Sequence, residues 1–105
     1  MRARKTNKYP IPTRVQVGDS WYTVDRAEVL PGCRGKCDYA SRVLSVAARS
    51  ASYAYTSAEQ FNTFWHELTH AILKDMGSVL ESDEKFVSAF ADRLTDAITS
   101  AKFKE

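Results

Sequence analysis

The stretches TRVQV and SWYTV each alternate apolar and polar side chains, and Gly18-Asp19 separates them. Period-two alternation marks a half-buried strand, and a two-residue break containing glycine reads as a hairpin turn. Two short strands are therefore expected, with Val15, Val17, Trp21 and Val24 turned toward a core. The next stretch, AEVLPGCRGKCDYA, is punctuated by Pro31, Gly32 and Gly35 and reads as loop. SRVLSVAA alternates again, which predicts a further strand with Val43 or Leu44 inward. RSASYAYTS, small and polar, reads as a connection.

From Thr56 the period changes. TSAEQ holds two overlapping capping boxes, Thr56 with Glu59 and Ser57 with Gln60. Phe61, Phe64, Leu68 and Ile72 then recur at steps of three and four, a helical stripe that Gly77 can terminate. The pattern predicts a helix over residues 57–76. A second helix is expected from a cap at Ser82, with Asp83 and Glu84 in its first turn and a stripe of Val87, Phe90, Leu94, Ile98 and Ala101. The short link at 77–82 makes the two helices antiparallel neighbours. The expected fold is α+β: a small antiparallel sheet packed on the first helix, followed by a C-terminal antiparallel helix.

The first helix contains FWHELTHAILKDMG, with the chain's two histidines at His66 and His70. By the helical wheel both lie about 160–200° from Leu68. One face can therefore pack on the sheet while the other offers two imidazoles about 6 Å apart along the axis, close enough to share one ion. This HExxH pattern fits zinc, which takes neutral imidazole nitrogens and in catalytic sites keeps one of four positions open for water. The metal lowers the pKa of that water toward ~7. Glu67, beside the first ligand, can take the water proton and pass it to a leaving amine as general base and acid. No third histidine exists, and residues 73–76 read Leu-Lys-Asp-Met, so a carboxylate near the second helix must complete the site. Glu81, Asp83 and Glu84 are the candidates; wheel geometry favours Asp83 slightly, and side-chain reach favours Glu84.

HELTHAILKDMG followed by DEKFVSAFADRL resembles the glutamate-zincin metallopeptidases, including ImmA/IrrE-type peptidases and small phage-encoded ones, over residues 36–98. The resemblance implies a single zincin-like domain over 1–105, with His66, His70 and Glu84 as zinc ligands and Glu67 as catalytic base. It also implies a peptide or protein substrate and a regulatory protein partner. The chain has no histidine to match the family's oxyanion stabiliser, and Tyr39, Tyr53, Tyr55 and Arg42 are the alternatives. A non-catalytic zinc-binding or partner-binding module of the same fold is the competing reading.

Composition narrows the picture. With 105 residues, 44% hydrophobic and 27% charged, the chain is expected to be one globular unit. No apolar run reaches the ~18 residues of a membrane span, and no apolar segment follows the basic N-terminus, so a cytoplasmic protein is expected. The net charge of +2 is uneven: Arg2, Arg4, Lys5, Lys8 and Arg14 precede any acid. We read residues 1–10 as a flexible, solvated arm, with contact to nucleic acid through it as the alternative. Cys33 and Cys37 lack a second ligand pair and read as reduced thiols, with a local disulfide or half a metal site as alternatives.

Overall fold

The computed structural model describes residues 8–104. Most of the expected basic arm lies outside the described residues. The order of elements is β1 (Arg14–Val17), β2 (Ser20–Val29), β3 (Gly35–Asp38), β4 (Val43–Arg49), α1 (Ser57–Asp75), a 3-10 turn (Val79–Ser82) and α2 (Glu84–Ser100). Four strands form one sheet in the order β1-β2-β4-β3, which is mixed. β1 and β2 form the expected hairpin across Gly18-Asp19, Val17 pairing with Ser20. Gly18 has φ +58°, and a Cβ there would also lie 2.6 Å from an Asp75 carboxylate oxygen, so the turn needs glycine twice over.

The wholly antiparallel sheet expected from the sequence is corrected at its centre. β2 and β4 run parallel, from Thr23 against Val43 to Val29 against Arg49. The cause is β3, a strand hidden in the stretch read as loop. The chain leaves β2, forms β3 at the sheet edge, and returns as β4 between the two, antiparallel to β3. Only four residues long and opening on Gly35, β3 has too little alternation to stand out.

The core is Val17, Tyr22, Val24, Leu44 and Val46 of the sheet against Phe64, Leu68 and Ala71 of α1. Trp21, expected inside, is 49% exposed. Residues 21 and 24 of one strand are an odd number apart and must point to opposite faces. Tyr22 takes the inward place, and Trp21 lies on the outer face with the Arg14 guanidinium 4.1 Å from its ring centre.

α1 opens on the Thr56–Glu59 capping box: Thr56 Oγ1 accepts from the Glu59 N–H at 3.1 Å, and Glu59 Oε1 from the Thr56 N–H at 2.8 Å. Phe61, Phe64 and Leu68 are buried, whereas Ile72 is exposed, because the buried stripe turns toward Ala71. α2 begins one residue later than expected. Asp83, not Ser82, is its N-cap, accepting from the Phe86 N–H at 3.0 Å. Val87 and Ala91 carry its packing; Phe90 is exposed. Among the described residues no helix is long and apolar enough to cross a membrane.

Candidate metal centre

α1 carries His66, Glu67 and His70 on its middle turns, and the 3-10 turn brings the start of α2 back across them. The two imidazole centres are 5.1 Å apart. Glu84, the first residue of α2, straddles them: Oε1 lies 3.0 Å from His66 Nε2 and Oε2 2.8 Å from His70 Nε2. The ligand atoms of His66, His70 and Glu84 all fall within 4.8 Å of one another, and the three can hold a metal ion.

Hydrogen bonding fixes how His70 faces this cluster. Its Nδ1 lies 2.7 Å from the Glu81 carbonyl oxygen. A carbonyl only accepts, so Nδ1 carries the hydrogen. In the neutral ring Nε2 is then a bare acceptor, facing another acceptor, Glu84 Oε2, at 2.8 Å. Two acceptors at that separation need positive charge between them, either a proton or a cation. An ion with ligand bonds of about 2.0–2.1 Å in tetrahedral geometry would hold its donors about 3.3 Å apart. Widening these contacts by a few tenths of an ångström would therefore admit one.

The other two carboxylates expected as ligand candidates have different partners. Asp83 caps α2. Glu81 accepts from the Tyr39 hydroxyl at 2.6 Å through Oε2, and its main-chain carbonyl orients His70. Glu84 alone meets both histidines.

Glu67 points toward the same space, is 8% exposed, and has no hydrogen-bond partner among the described residues. Burial pushes its carboxyl up to about 7; His70 opposes the shift and Glu84 adds to it. The close approach of β3 makes this burial possible. A Cβ on Gly35 would lie 2.5 Å from Thr63 Cγ2 and 2.9 Å from Glu67 Oε2, so only glycine lets the strand pass there without displacement.

Two clefts meet at these residues. One, of about 470 Å³, is bordered by Arg34, Gly35, Asn62 and Thr63; the other, of about 380 Å³, by Cys37, Tyr39, Glu81 and Ser82. Both are lined by Glu67, His70 and Glu84, so the cluster sits between them. β3 runs along both. The Arg34 carbonyl accepts from the Ala47 N–H at 2.8 Å, and the ladder continues with Lys36 opposite Ser45. Alternation then turns the main-chain N–H and C=O of Gly35 and Cys37 off the free edge of the sheet.

Of the four residues considered for oxyanion stabilisation, only Tyr39 borders these clefts, and its hydroxyl donates to Glu81. Burial, then that hydrogen bond, holds its pKa well above the usual phenol value. Tyr53 donates to Glu59, Tyr55 packs beside Arg34, and Arg42 sits in the β3–β4 turn with φ +57°. Both cysteines are free thiols; burial, followed by nearby carboxylates beginning with Glu67, pushes Cys37 up to about 12.

Sequence reasoning missed Gly35, the Glu81 carbonyl and the Tyr39–Glu81 bond. A glycine between two cysteines was a signal for the first, but it read as loop punctuation. The other two depend on tertiary contacts across 11 and 42 residues of chain and leave no local pattern. No protein-family model, curated protein or solved structure matches the chain, and the geometry of these residues is what speaks to function.

Proposed function

We propose that this chain is a zinc-dependent peptidase. The observation that carries the reading is the His70 hydrogen-bond arrangement: Nδ1–H committed to the Glu81 carbonyl and Nε2 turned on the Glu84 carboxylate, with His66 Nε2 on its other oxygen. Two imidazoles and one carboxylate suit zinc and leave one of four tetrahedral positions open, as catalytic sites require. When bound, zinc supplies Lewis acidity, lowering the pKa of a coordinated water to ~7 and polarising the scissile carbonyl.

The chain's own residues supply the rest. His66, His70 and Glu84 hold the ion, and the Glu81 carbonyl keeps the His70 ring in its working tautomer. Glu67 accepts a proton as the water oxygen bonds to the carbonyl carbon, and delivers it to the amide nitrogen as the C–N bond breaks. A carboxyl near neutrality suits both halves of that transfer, and a cation beside it would draw its pKa lower. The free edge of β3 suits an extended peptide, whose backbone can pair with Gly35 and Cys37 while its side chains enter the two clefts.

The test pairs metal analysis with turnover. Protein purified without chelator is expected to hold one zinc per chain and to cleave unstructured peptides. Glu67→Gln should keep the zinc and lose activity by about 10²–10⁴-fold. Retained peptidase activity in that variant, or no zinc uptake by the wild type, defeats the reading.

A further inference from the structure

Among the lysines and arginines of the described residues, Arg34 alone lines either of the two clefts that meet at the metal centre. Its guanidinium carbon lies 5.0 Å from the Tyr55 ring centre, a stack that holds the side chain where this cleft adjoins a third, of about 300 Å³, which Arg34 and Tyr55 both line. The guanidinium makes no hydrogen bond or ion pair among the described residues. Its donors are therefore open to a ligand. The charged groups facing it come from α1 and the start of α2. Glu59 interacts with its charge, but that carboxylate already accepts from the Thr56 N–H at 2.8 Å and the Tyr53 hydroxyl at 3.0 Å. The Thr56 backbone bond is the leading reason its pKa is lowered, and Arg34 the smallest of the causes. Farther along the cleft, Glu84 belongs to the metal centre with Glu67 beside it, and the Asn62 amide donates both hydrogens, to Asp92 and Thr95. With a divalent cation in place, the cation and Arg34 would together outweigh Glu67 and Glu84, the two carboxylates that line the cleft; Glu59 does not line it.

We propose that this cleft is an acidic-side-chain subsite: the peptide carries Asp or Glu within two residues of the scissile bond, and Arg34 binds its carboxylate. The position follows from the edge strand. Gly35 abuts Glu67, and Arg34, the residue before β3, lines the same cleft as both. Arginine suits this role because its planar fork meets both carboxylate oxygens and stays charged at any working pH. The inference rests on the peptidase reading for its substrate class, but it can be tested apart from turnover.

The experiment uses full-length, zinc-loaded Glu67→Gln protein and fluorescein-labelled alanine-rich octapeptides that place one Glu, Gln or Lys at each position in turn. Anisotropy should show the Glu peptide binding about tenfold tighter than its Gln counterpart at one or two adjacent positions, the size of one charge-assisted hydrogen bond. The gap should narrow as salt rises. Arg34→Gln in the same background should abolish the discrimination, and Arg34→Glu should reverse it toward Lys, with zinc content unchanged in both. Equal binding of the three peptides, no binding of any, or discrimination that survives Arg34→Gln overturns the subsite. Discrimination that depends on Arg34 without turnover by the wild type sustains the subsite and defeats the peptidase reading. Turnover by the wild type without discrimination does the reverse.

Discussion

The burial of Glu67 has a consequence for stability that can be measured without any substrate. In metal-free protein the carboxyl is pushed from 4.5 to about 7, chiefly by burial under β3. Between those two pH values the folded chain holds a proton that the unfolded chain has released. Stability therefore falls as pH rises through this window, the opposite of the usual salt-bridged carboxylate. At about 1.4 kcal/mol per pH unit the difference amounts to about 3 kcal/mol when complete. Because the carboxylate lines an open cleft, water entry reduces the cost, and about 1–3 kcal/mol is expected.

Glu67→Gln isolates this contribution, since glutamine matches the protonated acid in shape and does not ionise. In chelator at pH 8 the variant should be more stable than wild type by about 1–3 kcal/mol; at pH 4 the two should nearly coincide. Urea unfolding at both pH values reads the difference directly, as a midpoint shift of about 1 M or more at pH 8. Groups shifted the other way, Asp38 and Glu59, are common to both proteins and cancel in the comparison. Added zinc should close the gap at pH 8, because a cation beside Glu67 favours its ionised form. Equal stabilities at pH 8 without metal, or a wild type the more stable of the two, would refute the idea that Glu67 is held in a desolvated position.

Further substitutions probe the surrounding contacts. Tyr39→Phe removes the hydroxyl that anchors Glu81, and should weaken zinc affinity about tenfold in a competition titration by loosening the carbonyl that orients His70. Gly35→Ala drives a methyl to 2.5 Å from Thr63 Cγ2; a loss of about 1–3 kcal/mol by denaturant unfolding is expected, partly relieved by Thr63→Ser. Asp83→Ala should cost about 1 kcal/mol of stability as a lost helix cap while leaving one zinc per chain, whereas Glu84→Ala should abolish zinc uptake.

The helical half of the chain was readable because its signals are local. The Thr56–Glu59 box and the glycine after Met76 lie within a few residues of the boundaries they set, and the capped α1 runs between them. The sheet was not readable to the same degree. Strand order depends on which segments meet, and the four residues of β3 decide that meeting: without them β4 reads as the next antiparallel strand after β2. Trp21 failed for a simpler reason, a count of two along the strand that its bulk and apolar character obscured.

The cluster around the histidines divides along the same line. The i, i+4 spacing that joins His66 and His70 is a property of one helix, so sequence can state it. The choice among Glu81, Asp83 and Glu84 is a matter of competing commitments. All three are acids within four residues, and wheel geometry slightly preferred Asp83. What separates them is that Asp83 is needed to start α2 and Glu81 to receive Tyr39, a contact between residues 42 apart along the chain. Capping places the α2 start where Glu84 must fall, one residue inside the helix and facing α1. The residue with no structural duty of its own is thus the one left to bridge the histidines, and the two that hold the scaffold set where it stands.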